Sequence, residues 1–220
     1  MRDSVIELIK RKKLIAIIRG VESENLIPLC EALYDGGVRL AEITFSSDGL
    51  GDERVARDIR LIAEHFSGRL TVGAGTVVTE KHVLFTREAG GSFIISPNVS
   101  EDVIRATNNA GLVSIPGALT PTEICNAYSF GADFVKLFPV GNLGSGYIKA
   151  IKAPLSHIPL LAVGGVDLNN LAEYLNVGIS GVGIGSSIVR TDFIKRKDFS
   201  SILRLASEYV TLIESRDQED

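Results

Sequence analysis

Short apolar runs recur along the chain at roughly even spacing, and each of them predicts a β-strand. Each run is apolar on both faces, which is typical of parallel strands that are covered by helices. The predicted strands are residues 14–18, 40–44, 70–73, 93–96, 113–115, 134–137, 160–163 and 181–184. The pattern therefore indicates a large parallel sheet.

The segments between these runs carry the start and stop signals of helices. Thr120 and Glu123 form a capping box with a proline at the first helical position, while Ser100 and Thr79 each precede acidic residues. The helix-like segments then stop at glycines, each followed closely by the next strand. These glycines are Gly36, Gly37, Gly90, Gly91, Gly111, Gly131 and Gly178.

Eight strand–helix units in a chain of 220 residues predict a single (β/α)8 TIM barrel over residues 1–220. The basic cluster at residues 10–13 indicates the end of an N-terminal helix, and residues 211–220 are typical of a frayed polar tail. A doubly wound open sheet is the alternative. The even spacing and the lack of a dinucleotide-binding fingerprint argue against it.

Composition and charge narrow the classes of partner. The net charge of −4 gives no basic surface for nucleic acid, and no stretch has the length of a membrane span or a signal peptide. Cys30 and Cys125 fit a reducing cytoplasm and buried small hydrophobic side chains better than they fit a disulfide. His65, His82 and His157 lie away from the predicted strand ends and form no metal-ligand pattern, so no metal and no cofactor are expected.

Lys136 is the most informative residue, because it interrupts the apolar run at 134–137. Burying an unpaired ammonium is so unfavourable that such a lysine tends to lose its proton. A neutral amine is a nucleophile that forms a Schiff base with a carbonyl substrate. The alternative is a lysine near a strand end whose ammonium reaches water.

Other polar residues lie where further predicted strands end, which is the edge of a barrel that carries the chemistry. Arg19 follows the first strand, and Glu42 lies within the second. Glu42 is expected to do acid/base work beside the Schiff-base lysine, whereas a purely structural Glu42–Lys136 salt bridge is the alternative.

Glycines after the seventh and eighth predicted strands give a second signal. Barrels often bind phosphate in the loops after these strands, where backbone N–H groups approach the anion closely. The residues concerned are Gly164, Gly165, Gly185 and Ser186. The segment 141–146 is either a flexible linker or a further loop at the same anion.

The motifs at these strand ends together resemble the bacterial 2-keto-3-deoxy-6-phosphogluconate aldolase family, which includes 4-hydroxy-2-oxoglutarate aldolases and phosphogalactonate aldolases. The resemblance covers roughly residues 14–189. It is carried by IAIIRG (15–20), AEIT (41–44), VGAGTV (72–77), ISPN (95–98), IPG (115–117), VKLFP (135–139) and GGV (164–166).

The resemblance implies a class I aldolase on a (β/α)8 barrel, usually a homotrimer, that acts on a phosphorylated sugar acid. It implies that Lys136 forms the Schiff base and that Glu42 is the acid/base. Residues at the pyruvate end would be Arg19, Thr76, Pro97 and Pro116. Residues at the phosphate would be Gly164, Gly165, Gly185 and Ser186.

One position departs from the resembled family. Many members carry an arginine in a Glu-Val-Thr-Leu-Arg-Thr stretch, whereas Ser46 stands at that position here. Arg19 is expected to supply the cation instead, as in the phosphogalactonate branch, and the preferred C4 epimer is left open. Two other classes also stay open: a phosphate-binding isomerase or synthase without imine chemistry, and a non-catalytic binder of sugar-acid phosphates.

Overall fold

The computed structural model describes residues 2–46, 49 and 51–216. Its nine parallel strands form one nearly closed barrel, in the order β5-β4-β3-β2-β1-β9-β8-β7-β6. The strands are β1 Leu14–Ile18, β2 Leu40–Thr44, β3 Thr71–Gly75, β4 Phe93–Ile95, β5 Val113–Ile115, β6 Gly117–Ala118, β7 Val135–Leu137, β8 Leu160–Val163 and β9 Gly181–Ile184. The predicted parallel barrel is thus confirmed.

The fifth barrel position is split between β5 and β6, which lie at the two ends of the strand order. Pro116 separates them, and a proline has no backbone N–H to donate within a sheet. Its carbonyl still accepts a hydrogen bond from the Lys136 N–H at 2.8 Å. The split therefore falls where the barrel closes, and it explains why nine strands occupy eight positions.

Helices follow the strands around the outside. They are α1 Arg2–Lys12, α2 Leu26–Asp35, α3 Asp52–Phe66, α4 Glu80–Glu88, α5 Glu101–Asn109, α6 Pro121–Ser129, α7 Gly144–Lys152, α8 Leu171–Asn176, α9 Thr191–Lys195 and α10 Phe199–Arg216. The predicted N-caps at Thr79, Ser100 and Thr120 are all present, and the last forms the capping box with Glu123.

Two apolar layers hold the fold. One lies between strands and helices, and the other fills the barrel interior with side chains such as Ile15, Leu40 and Phe134. Val5 and Ile9 of α1 belong to the interior cluster. The N-terminal helix therefore packs against the interior, as the barrel must be filled with side chains rather than left as a pore.

The C-terminal prediction was wrong over part of its length. Residues 211–216 continue α10, with Ile213 only 2% exposed, because an apolar stripe of this helix packs against the core. Residues 217–220 of the predicted tail lie outside the described residues.

Candidate active site

The strand ends meet in a cavity of about 240 Å³. Alternation along each strand brings charged residues to it, because side chains two apart share one face. Leu40 and Phe134 point into the barrel core, so Glu42 and Lys136 share that interior face two residues further on. The cavity lining consists of Ile17, Arg19, Glu42, Thr76, Pro97, Lys136, Phe138, Val163, Gly164, Gly165, Val166, Gly183, Gly185, Ser186 and Ser187.

Lys136 is held in β7 with only 7% of its surface exposed. Its Nζ lies 4.5 Å from the centre of the Phe138 ring. Burial lowers the pKa of the Lys136 ammonium; Glu42 raises that pKa, and the positive charge of Arg19 lowers it. The amine is therefore shifted toward its neutral, nucleophilic form.

Glu42 is 1% exposed and lies in the centre of β2. Its carboxylate occupies the space above Gly75, where a Cβ atom would overlap with Oε1. Burial raises the pKa of the Glu42 carboxyl, while Lys136 and Arg19 lower it. The carboxyl is thus shifted toward its protonated form, which suits a group that both accepts and returns a proton.

Glu42 and Lys136 influence each other's pKa without forming a close salt bridge. Glu42 Oε2 is buried and finds no hydrogen-bond partner among the residues that the structure describes, although the carboxyl lines the same cavity as the Lys136 amine. Within residues 2–46, 49 and 51–216, no ion pair joins the two side chains. A purely structural pair would be expected to satisfy both groups, so the orphan oxygen leaves room for a reacting molecule.

Arg19 and Thr76 meet on one wall of the cavity. Arg19 Nη2 donates a hydrogen bond to Thr76 Oγ1 at 3.2 Å. Thr76 has a φ of 56°, a left-handed backbone conformation that is unfavourable for a β-branched residue. Strain of this kind persists only when neighbouring contacts impose it, and it gathers at ligand-binding positions.

The glycine loops form another part of the cavity wall. Gly164 and Gly165 have φ values of 84° and 86°. Gly141 N–H donates to the Gly164 carbonyl at 2.8 Å, and a Cβ on Gly165 would stand 2.6 Å from Gly141 Cα. The predicted 141–146 segment therefore packs against this loop and enters α7, rather than acting as a linker.

Nine of the ten site residues named from the sequence line this cavity, and Pro116 does not. Pro116 instead contributes its carbonyl to Lys136 N–H at the split in the barrel. Phe138 is a cavity residue that sequence reasoning missed. The sequence did contain a signal for it, because Phe138 comes two residues after Lys136 and side chains two residues apart along an extended chain face the same side.

Metal-binding sites and membrane-spanning helices are two further features on which the structure bears. No group of three or more His, Cys, Asp or Glu side chains in the described part of the chain could hold a metal ion. None of the helices among these same residues combines the length and the apolar character that a bilayer span requires.

Comparison with known proteins places this barrel among the carbon–carbon lyases. Residues 5–205 match the aldolase family described as KDPG and KHG aldolase. The chain belongs to that family, as the resemblance of its strand-end motifs predicted.

Individual relatives span most of the chain. It is 35% identical to the 2-dehydro-3-deoxy-6-phosphogalactonate aldolase of Escherichia coli (strain K12), over 80% of this chain and 84% of that protein. It is 30% identical to the 2-dehydro-3-deoxy-phosphogluconate aldolase of Treponema pallidum (strain Nichols), over 96% and 98% of the two chains. A KDPG aldolase structure from Legionella pneumophila, with pyruvate captured as a covalent carbinolamine, superposes with a TM-score of 0.83 at 28% identity, over 92% and 96% of the two chains.

Proposed function

We propose that this aldolase uses Schiff-base chemistry to cleave 2-keto-3-deoxy-6-phosphogluconate reversibly into pyruvate and glyceraldehyde 3-phosphate. A second substrate is 4-hydroxy-2-oxoglutarate, cleaved to pyruvate and glyoxylate. The observation that carries the proposal is the Lys136 amine, buried at the strand ends with a lowered pKa. The gluconate relative, which aligns with 96% of the chain, supports this substrate class.

In the first half of the reaction, the Lys136 amine attacks the C2 ketone and forms a carbinolamine. Glu42 transfers protons as the carbinolamine loses water, and the product is an iminium ion bonded to Lys136. The positive nitrogen then serves as an electron sink for the next step. The buried position of both groups supports these roles, because burial shifts the amine and the carboxyl toward their neutral forms.

In the second half, Glu42 takes the proton of the C4 hydroxyl, directly or through a water molecule. The C3–C4 bond breaks, its electron pair forms the enamine of pyruvate, and the C4 oxygen becomes the carbonyl of glyceraldehyde 3-phosphate. The enamine gains a proton at C3, and water releases pyruvate from Lys136. Each proton that Glu42 accepts is thus returned within one turnover.

The two walls of the cavity suit the two ends of this substrate. Arg19 pairs with the C1 carboxylate, and Thr76 and Pro97 lie around the pyruvate moiety, whereas Pro116 acts only through its carbonyl on the Lys136 N–H. The glycine loops hold the phosphate through backbone N–H groups, at Gly164, Gly165, Gly185 and Ser186. Holding both ends orients the reacting carbons.

A pyruvate-release assay on both phosphorylated epimers and on 4-hydroxy-2-oxoglutarate tests the proposed function. We expect turnover of the gluconate epimer. The galactonate epimer is the second candidate, because a galactonate relative is 35% identical and Ser46 replaces the usual arginine. Failure to release pyruvate from all three compounds would favour an isomerase, a synthase or a non-catalytic binder.

Replacing Arg19 with alanine should weaken capture of pyruvate. We expect the pyruvate concentration that half-saturates borohydride inactivation to rise about 10- to 100-fold, the range for a lost hydrogen bond to a charged group. The pH midpoint of inactivation should also rise, because Arg19 lowers the pKa of Lys136 and the neutral amine is the reactive form. Arg54→Ala is the control, since Arg54 pairs with Glu22 outside the cavity. If Arg19→Ala and Arg54→Ala give the same half-saturating pyruvate concentration and the same pH midpoint of inactivation, the role of Arg19 is refuted.

Gly185→Ala tests the phosphate loop with little structural disturbance. A Cβ on Gly185 would lie 3.7 Å from its nearest neighbour, whereas one on Gly165 would meet backbone at 2.6 Å. We expect kcat/KM for the phosphorylated substrate to fall about tenfold more than that for 4-hydroxy-2-oxoglutarate, because the methyl group blocks the approach of the anion. Gly146→Ala, where a Cβ meets nothing within 4 Å, is the matched control. If only Gly146→Ala lowers kcat/KM selectively for the phosphorylated substrate, the phosphate binds at the 141–146 segment instead.

We also propose a homotrimer located in the cytoplasm, the assembly usual in the resembled family and a compartment that suits two free thiols. Sedimentation equilibrium should give three times the mass of the chain. A mass equal to one chain would contradict the trimer.

A further inference from the structure

Three buried side chains join neighbouring loops beside the catalytic cavity. Phe45 follows β2 directly, Asp52 begins α3 and His82 lies in the first turn of α4. The rings of Phe45 and His82 stack with centroids 4.4 Å apart and an interplanar angle of 4°. His82 Nε2 lies 3.2 Å from Asp52 Oδ1. We call these three residues the clasp.

Packing alone does not account for the polar part of the clasp. His82 and Asp52 are 3% and 6% exposed, and an apolar pair would fill this space without the cost of removing polar groups from water. His82 Nδ1 and Asp52 Oδ1 have no hydrogen-bond partner among the described residues, whereas Asp52 Oδ2 accepts a hydrogen bond from Lys81 Nζ at 3.4 Å. Such a costly arrangement indicates a demand for one defined geometry.

The clasp lies against the segment that carries Thr76. Phe45 N–H donates to the Gly75 carbonyl at 2.8 Å, which extends the β2–β3 pairing by one residue. On the other side, the backbone N–H of His82 donates to Thr79 Oγ1 at 3.3 Å, which is the N-cap bond of α4, and the His82 side chain holds this helix end against Phe45. The strained Thr76 stands between these two anchors, at the point where its hydroxyl accepts a hydrogen bond from Arg19.

We propose that His82 is a positioning residue: through the clasp it fixes the 75–79 segment, and thereby the Thr76 hydroxyl and the Arg19 guanidinium, for binding the α-keto acid end of the substrate. The ligand assignment rests on the proposed function, whereas the ordering of the segment does not. His82 itself lies outside the cavity lining and touches no reacting atom.

His82→Leu removes both the stack and the contact with Asp52, and it tests the proposal by two measurements. We expect hydrogen–deuterium exchange in residues 75–79 to accelerate, with Val77 N–H, bonded to the Ile95 carbonyl, as a reporter. We also expect the half-saturating pyruvate concentration for borohydride trapping to rise about tenfold, while the trapping rate at saturation changes little. His82→Phe, which keeps a flat ring on Phe45, should restore part of the exchange protection.

Val5→Ala is the control for general loss of stability, because Val5 is buried in α1 within the interior cluster and does not line the cavity. It should lower Tm without changing either measurement. If His82→Leu does not fold, Asp52→Asn takes its place, since it keeps the shape and removes the charge beside His82. Unchanged exchange, or faster exchange with unchanged half-saturation, would overturn the positioning role. A wild-type protein that traps no pyruvate would instead refute the proposed function, while the exchange measurement would still decide whether the clasp orders the segment.

Discussion

Lys136→Ala is expected to reduce kcat/KM for the phosphorylated substrate by about 10⁴-fold or more, the scale of loss when a covalent nucleophile is removed. Among the described residues that line the cavity, no other carries an amine that could form the iminium ion. Pyruvate with borohydride should label Lys136 in the wild type, add the mass of one reduced adduct and abolish turnover. The variant should take up no label.

Lys152→Ala provides a matched control. Burial also lowers the pKa of Lys152, but this lysine lies in α7 and does not line the cavity. Its replacement should leave labelling and turnover near wild type. Undiminished labelling of the Lys136→Ala variant would show that another lysine carries the Schiff base, and the assignment would fail.

The strand pattern could be predicted because parallel strands in a barrel are buried on both faces. The runs at 14–18, 40–44 and 160–163 coincide with β1, β2 and β8. The split of the fifth strand at Pro116 was missed. Its first half pairs with β4 and its second half with β7, and this pairing is decided when the barrel closes rather than by the local sequence. The end of α10 was missed because its polar residues conceal an apolar stripe at helical spacing.

The candidate site was predictable for a related reason. A charge such as Glu42 in an apolar run is conspicuous, and strand order then brings the ends of all strands together. The clasp at His82 left no comparable signal. His82 looks like any helical residue, and its partners Phe45 and Asp52 are fixed only when α3 and α4 pack side by side.

The pKa of Glu42 and the pKa of Lys136 are each set by two opposing effects. Burial favours the neutral form of each group, while their mutual attraction favours the charged forms. The two effects oppose each other, and burial is the larger of the two for each group. Such a balance is useful to a reaction that needs a free amine at one step and a proton donor at another.

Glu42→Gln should therefore reduce turnover by about 10²–10⁴-fold, the usual contribution of a general acid/base, while the fold survives because the amide has the same shape. The pH dependence should also change. Glu42 raises the pKa of Lys136, so its removal lowers that pKa further, and the neutral amine becomes available at lower pH. The midpoint of pyruvate trapping against pH should thus shift downward even as turnover falls.

Asp58→Asn is the matched control for this variant. Asp58 is also a buried carboxylate, 4% exposed, but it accepts a hydrogen bond from Ser23 at 2.6 Å outside the cavity. Its replacement should affect Tm more than turnover and should leave the trapping midpoint in place. If Glu42→Gln keeps near-normal turnover and shifts only the midpoint, Glu42 acts on Lys136 through its charge alone, and the proton of the C4 hydroxyl must be taken by another group or by water.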